Sequence, residues 1–260
     1  MDGLSIRRRI ALDIARSMRK SQEEEHPLRQ LFWECTLRCN LRCQHCGSDC
    51  KQVAATPDMP KEDFFKVLDS IAAKTDPHKV FVIISGGEPT MRADLEECGK
   101  GIYSRGFPWG MVTNGFGMTA ERFSRLLGAG LHSMTVSLDG LEENHDWLRG
   151  REGSFTRAAE TIRMAVRSGI AFDVVTCVNR RNYSQLPQLK EFLIGLGLKE
   201  WRLFSIFPQG RAALNPDLQL PPEMFRGMLD FIKETRKEGR IKASYGCEGF
   251  LGPYEGLSLI

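Results

Sequence analysis

The chain predicts an α/β fold with a parallel sheet, on three observations. Six short β-rich runs alternate with amphipathic helical stretches from residue 31 onward. The 260 residues, 42% hydrophobic and 27% charged, suit one soluble domain with a sizeable core or one domain plus a short appendage. Every polar or Gly-rich cluster falls at or just beyond the C-terminal end of a strand run. Right-handed crossovers between parallel strands give either an open doubly wound sheet or an incomplete barrel, and both place their active sites at those ends. Periodicity alone does not separate the two.

The elements follow in order. LSIRRRIALDIARSMRK places Ile6, Ile10 and Ile14 at helical spacing, and Pro27 stops that helix. Arg7, Arg8, Arg9, Arg16 and Arg19 give it a basic face. A membrane-surface or partner-binding helix would look like this, but the expectation is a solvated helix packed on its own domain. The strand runs are LFWECT, VFVIIS, WGMVTN, SMTVSLD, AFDVVTCV and WRLFSIF. Helices are expected over 61–73 behind Pro60, 94–105, 119–129, 154–168, 184–195 and 221–238. Phe155, Ile162 and Val166 share one face of the fourth, and Leu186, Leu189, Phe192 and Leu193 mark the fifth. Thr119 and Ser154 are the expected N-caps.

Charge and composition exclude some functions. A net charge of +3, from 36 basic and 33 acidic residues interspersed along the chain, gives no argument for nucleic acid. No run approaches the roughly 20 apolar residues of a membrane span, and the start lacks the pattern of a signal peptide, so the expected location is cytoplasmic. In such a chain eight cysteines, five of them between Cys35 and Cys50, point to metal binding or catalysis rather than to a disulfide framework.

Cys39, Cys43 and Cys46 stand in C-x3-C-x2-C spacing just after the first strand run. Thiolates are soft ligands for iron–sulfur clusters or zinc, and three of them on a cubane leave one iron open to a further ligand. Zinc is the competing reading, with Cys35 or Cys50 as a fourth thiolate. Cys35 otherwise reads as ordinary core, and isolated Cys98 and Cys177 as small buried hydrophobes. The SGGEPT loop at 85–90, TNG at 113–115 and VSLDG at 136–140 close the second, third and fourth strand runs, and HDWLRGREGSF follows. Gly86 and Gly87 permit a backbone turn that approaches a ligand closely. Asn114, Ser137 and Asp139 offer groups for hydroxyls or a carboxylate, although each also suits an Asx-turn or a helix cap.

This ordered set resembles the radical S-adenosylmethionine (radical SAM) superfamily over roughly residues 30–240. The resemblance implies a partial (β/α)6 TIM-like barrel and a 4Fe-4S cluster held by Cys39, Cys43 and Cys46. The cluster would chelate S-adenosyl-L-methionine and cleave it reductively to a 5′-deoxyadenosyl radical. It implies cofactor contacts from Gly86, Gly87, Glu88 and Pro89 of GGEP, from Asn114, Ser137 and Asp139, and from Arg149, expected to pair with the cofactor's carboxylate. His45 stands where the family usually has an aromatic residue against adenine, and Asn179 is expected near the ribose. A one-electron donor such as flavodoxin or ferredoxin is implied as partner.

The expected organisation is a helical extension over 1–26, the radical SAM core over 27–240 and the start of a SPASM-like extension over 241–260. In GCEGF, Cys247 would be the first ligand of an auxiliary cluster, with no second cysteine after it before Ile260. HDWLRGREGSF and this tail resemble the peptide- and protein-modifying members, so a peptide or protein substrate is expected. A non-catalytic metal-binding module and a radical SAM core acting on a small molecule are the alternatives. No residue stands out as a catalytic acid, base or hydrogen donor.

Overall fold

The computed structural model describes residues 6–246 together with Leu251 and Tyr254. Cys247 and the rest of GCEGF therefore lie outside the described residues. In chain order the elements are α1 (Ile6–Glu25), β1 (Gln30–Glu34), α2 (Lys61–Ala72), β2 (Phe81–Ser85), α3 (Leu95–Tyr103), β3 (Trp109–Thr113), α4 (Ala120–Gly128) and β4 (Leu131–Ser137). They continue with α5 (Glu142–Arg149), α6 (Ser154–Ser168), β5 (Ala171–Val178), α7 (Leu186–Gly195), β6 (Glu200–Ser205), α8 (Pro222–Glu238) and β7 (Lys242–Tyr245). All strands are parallel and each lies beside its neighbours in sequence, β1 through β7. Among the described residues β1 pairs with β2 alone and β7 with β6 alone, so the sheet forms an unclosed barrel with its helices outside. Among the described residues no helix is long and apolar enough to cross a membrane.

Side-chain alternation along the strands separates two environments. On β2, Val82 and Ile84 are fully buried against the helices, while Phe81, Ile83 and Ser85 are half-buried on the inner face. The helix side is a continuous apolar core. Leu68, Ile102, Leu126, Ile162, Leu193 and Ile232 from six helices meet Ile84, Met111, Met134, Val174 and Leu203 from the strands. Burying each such side chain is worth about 1.5–3 kcal/mol. The inner face is more polar: Arg202 on β6 forks onto Asp173 on β5, and the Thr135 hydroxyl on β4 donates to the same carboxylate at 2.7 Å.

Four expectations need correction. The sheet has a seventh strand, β7, inside the segment read as an extension; four residues reading KASY carry too little periodicity to announce a strand, and pairing with β6 defines it. Helix α5 was hidden because HDWLRG reads as a motif rather than as a periodic stretch. Ser154 is not an N-cap: Gly153 holds that position at φ +77°, and Ser154 is the first helical residue. The orphan donors at the start of α6 are met instead by Asp146 of α5, which accepts from Gly153 N at 2.6 Å, Phe155 N at 2.7 Å and the Ser154 hydroxyl at 2.8 Å. Thr119 does cap α4, accepting from Arg122 N at 3.1 Å.

The fourth correction concerns α1, whose apolar stripe is not packed on the domain. Ile6, Ile10, Ile14 and Met18 are 77%, 54%, 56% and 60% exposed, and among its described side chains only Leu12 is half-buried.

The capping arrangement makes a test. Asp146→Ala should destabilise the protein by about 1–2 kcal/mol in chemical denaturation, and Ser154→Ala by clearly less, because Ser154 only adds to a cap that Asp146 supplies.

Candidate functional site

Residues 35–51, between β1 and α2, carry no regular strand or helix, so the loop's backbone groups need partners from elsewhere. The loop closes on itself where Cys39 N donates to Lys51 O at 2.7 Å. The end of α5 accepts from it, with Arg42 N reaching Arg149 O at 3.2 Å and Gln44 N reaching Leu148 O at 2.8 Å. From the turn after β6, Arg211 N donates to Cys46 O at 2.9 Å. The Arg211 side chain donates to Cys43 O at 2.7 Å, Cys50 O at 3.0 Å and the Asp49 carboxylate at 2.6 Å. Gly210 beside it permits this seat, because a Cβ there would stand 2.3 Å from Gly47 O.

The GGEP segment braces the loop from the other side. Gly87 N donates to Thr36 O at 2.7 Å and Glu88 N to Arg38 O at 2.9 Å. Any side chain at Gly86 or Gly87 would collide with those carbonyls, at 2.2 and 2.3 Å respectively, so the close approach that these glycines serve is first of all to the cysteine loop. Glu88, 1% exposed, ties the ends of β2 and β3 together. Its carboxylate accepts from Thr90 N, the Thr90 and Thr113 hydroxyls and, on the other oxygen, Asn114 N. Pro89 opens the short 3-10 turn that follows.

Ten of the thirteen expected site residues line one cavity of about 270 Å³: Cys39, Cys43, Cys46, His45, Gly86, Gly87, Glu88, Asn114, Ser137 and Arg149. Asn114 donates through Nδ2 to Asn40 Oδ1 at 2.8 Å and lies 3.9 Å from Cys39 Sγ. Arg149 pairs through Nε with Asp139 at 2.5 Å and lies 3.7 Å from Cys43 Sγ through Nη1. Pro89, Asp139 and Asn179 stand behind the lining. Asp139 is fully buried, holding Arg149 with one oxygen and accepting from Cys177 N at 2.8 Å with the other. Asn179 is occupied in its own turn, accepting from Arg181 N at 2.9 Å and donating from its backbone to Asn182 Oδ1 at 2.8 Å.

Electrostatics follow from burial. Burial raises the Asp139 carboxyl most strongly, but the Arg149 guanidinium, the neighbouring imidazoles and the Cys177 N–H together hold the carboxyl below its ordinary value. Burial lowers both His45 and His145 to about 4, so both imidazoles are neutral near pH 7. His145 Nδ1 accepts from Asp139 N at 3.0 Å, while the buried Nδ1 of His45 has no partner among the described residues. Burial also pushes the Cys39 thiol up to about 11 and raises that of Cys43, with Arg149 drawing the latter back, so metal binding must displace protons.

Of the two cysteines offered as a fourth thiolate, Cys50 lines the cavity beside Cys39, Cys43 and Cys46, while Cys35 is committed to the apolar core with Cys98. Cys177, by contrast, is not the buried hydrophobe expected: it is half-buried at the end of β5, within 4.8 Å of His45 and Asp139. That trio is a poor cation site because Arg149 already neutralises its carboxylate.

Residues 33–193 match the radical SAM superfamily, and the chain belongs to that family of enzymes, whose cofactors are S-adenosylmethionine and a 4Fe-4S cluster. It is 29% identical over 220 residues to the AdoMet-dependent heme synthase of Methanosarcina barkeri, a match covering 84% of this chain and 62% of that protein. It is 26% identical over 217 residues to the PqqA peptide cyclase of Rhizobium meliloti, covering 83% of this chain and 56% of that protein. The fold is that of Streptococcus suis SuiB in its S-adenosylmethionine-bound crystal structure, with a TM-score of 0.70 at 15% identity over 96% of this chain and 58% of that one. The chain thus spans less than two thirds of the length of these relatives.

Arg211 and Asn182 do not stand out in the sequence. For Arg211 the available signal is a Gly-Arg pair in PQGRA after the sixth strand run. Asn182, which donates to Asp139 O and Cys177 O, gave none.

Two outcomes are expected. Arg211→Ala should leave the circular dichroism spectrum intact and weaken retention of reconstituted iron against a chelator by about 10- to 100-fold. His45 and His145 have folded values below the unfolded value of 6.5, so the unfolded state binds more protons between pH 6.5 and 4. Stability should therefore fall as pH drops through that window. In pH-dependent thermal melts His145→Asn, which keeps the acceptor for Asp139 N, should flatten the slope.

Proposed function

We propose that this protein cleaves S-adenosylmethionine reductively at a 4Fe-4S cluster held by Cys39, Cys43 and Cys46, and uses the resulting 5′-deoxyadenosyl radical to modify a peptide or protein. The observation that carries this reading is the convergence of those cysteines with Gly86, Gly87, Glu88, Asn114, Ser137 and Arg149 on one cavity at the C-terminal strand ends. The family assignment supports an iron–sulfur cluster over zinc. When bound, the cluster and cofactor supply the electron transfer and the radical; the protein supplies their placement and excludes water.

The side chains divide that work. Gly86 and Gly87 bring the backbone of the β2 end against the cysteine loop, and Glu88 fixes that edge through its four hydrogen bonds. Ser137 and Asn114 offer polar groups at the mouths of β4 and β3 for the cofactor's hydroxyls or carboxylate. His45, neutral and with an unpartnered Nδ1, offers a flat face and one polar atom to an adenine. Arg149 keeps its charge for a carboxylate through its partner Asp139, which acts behind the lining as a positioning group. Asn179, turned into its own loop, acts in the same indirect way.

A small-molecule substrate is the second reading. It is favoured by the heme synthase relative, which matches at higher identity than the peptide cyclase. An electron donor such as flavodoxin or ferredoxin belongs to either reading.

Anaerobic reconstitution of the whole chain should give about four irons and a 4Fe-4S signal, and dithionite with S-adenosylmethionine should release 5′-deoxyadenosine. Cys39→Ala, Cys43→Ala and Cys46→Ala should each abolish release. Unimpaired cluster and turnover in all three would overturn the assignment. Deuterium transfer into 5′-deoxyadenosine from labelled peptides, compared with labelled tetrapyrroles, separates the two substrate classes.

A further inference from the structure

Helix α1 carries an apolar stripe that the domain does not cover: Ile6, Ile10, Ile14 and Met18 are each more than half exposed. Each step of four residues overshoots the helical turn of about 3.6 by about 40°, so the stripe spreads over about 120° of the helix and about 18 Å of its length. A partner helix in a coiled coil meets a narrow seam, with spacings that alternate between three and four. A stripe that drifts this far fits a broad surface instead.

Charge identifies that surface. Between Ile6 and Lys20 stand Arg7, Arg8, Arg9, Arg16, Arg19 and Lys20 against a single acid, Asp13. Among the described side chains of α1 only Arg16 reaches a carboxylate, that of Asp13 at 3.5 Å, and both are exposed. Arg9, Arg16, Arg19 and Lys20 fall on the side of the helix away from the stripe. The charges also run against the helix dipole, with Arg7, Arg8 and Arg9 in the first turn and Glu23, Glu24 and Glu25 in the last. That order destabilises an isolated helix, and an anionic surface against the first turns offsets it. The helix is rooted away from the cysteine loop: His26 ends it at φ +42°, Pro27 follows, and β1 starts at Gln30, at the opposite end of the sheet. None of its residues lines the cysteine cavity.

We propose that α1 is an interfacial helix that holds this protein on an anionic lipid bilayer. Ile6, Ile10, Ile14 and Met18 enter the boundary between headgroups and acyl chains, while the arginines and Lys20 keep their charges among the headgroups. The three glutamates at the far end of α1 favour a tilt that brings the first turns in deepest.

The test is co-sedimentation of the full chain with vesicles of equimolar phosphatidylglycerol and phosphatidylcholine, and with vesicles of phosphatidylcholine alone, at low and high salt. Binding is expected to the anionic vesicles, falling as salt rises. Replacing both Ile10→Ser and Ile14→Ser should weaken it on the order of 100-fold, and Arg9→Gln and Arg19→Gln about 5-fold each. Thermal melting should be unchanged in all of these variants, because the side chains concerned are exposed. Failure to bind the anionic vesicles, equal binding to both lipids, or binding indifferent to the isoleucine pair overturns the proposal. So does a dimer of the unsubstituted chain in analytical ultracentrifugation that the isoleucine substitutions dissociate, which would give the stripe to a second copy.

Discussion

Three thiolates can be held at fixed positions on a loop without helix or strand only if the loop's backbone is satisfied from outside. Here that constraint organises the whole upper end of the barrel. β2, α5 and the turn after β6 each contribute backbone or guanidinium groups to the cysteine loop, at separations in sequence of up to 168 residues. Arg211 alone engages Cys43, Cys46, Asp49 and Cys50. The ligand loop is thus a product of the complete sheet, and its geometry depends on β6 being in register with β5.

A second level of organisation is electrostatic. Asp139 and Arg149 are both buried, a placement tolerated only because each oxygen and the guanidinium find partners. The pair fixes a positive charge close to the Cys43 sulfur and keeps it there over the accessible pH range. Two neutral histidines flank it, so the buried positive charge beside Cys43 is the one that Asp139 orients. The outcome is a site whose charge is set by fold rather than by solvent.

Much of this was legible in the sequence because strand ends and motif positions coincide: the cysteine spacing, GGEP, TNG and VSLDG all sit where β1 to β4 stop. The parts that were not legible depend on distance. β7 is too short to show a period, and its identity comes from its partner β6. Asp146 as the cap of α6 is invisible because capping rules look to the residue at the helix start, while this carboxylate arrives from the preceding helix. The split between Asn114, which reaches the cavity, and Asn179, which does not, turns on side-chain hydrogen bonds that no spacing encodes. Cys177 read as a hydrophobe because its neighbours in sequence are apolar, but the strand's alternation points it inward.

A barrel closed by eight strands is filled by its own side chains. In this one β1 and β7 do not pair, so at least one strand spacing, about 4.8 Å, is missing from the wall, and Phe32 on β1 is 62% exposed. The inner face around Asp173 and Arg202 accordingly borders a hollow of about 630 Å³ rather than a packed centre. Its lining includes the starts of the strands, Gln30, Phe81, Gly110, Ser133, Ala171 and Glu200, so the hollow opens the sheet from the end opposite to the cysteine loop.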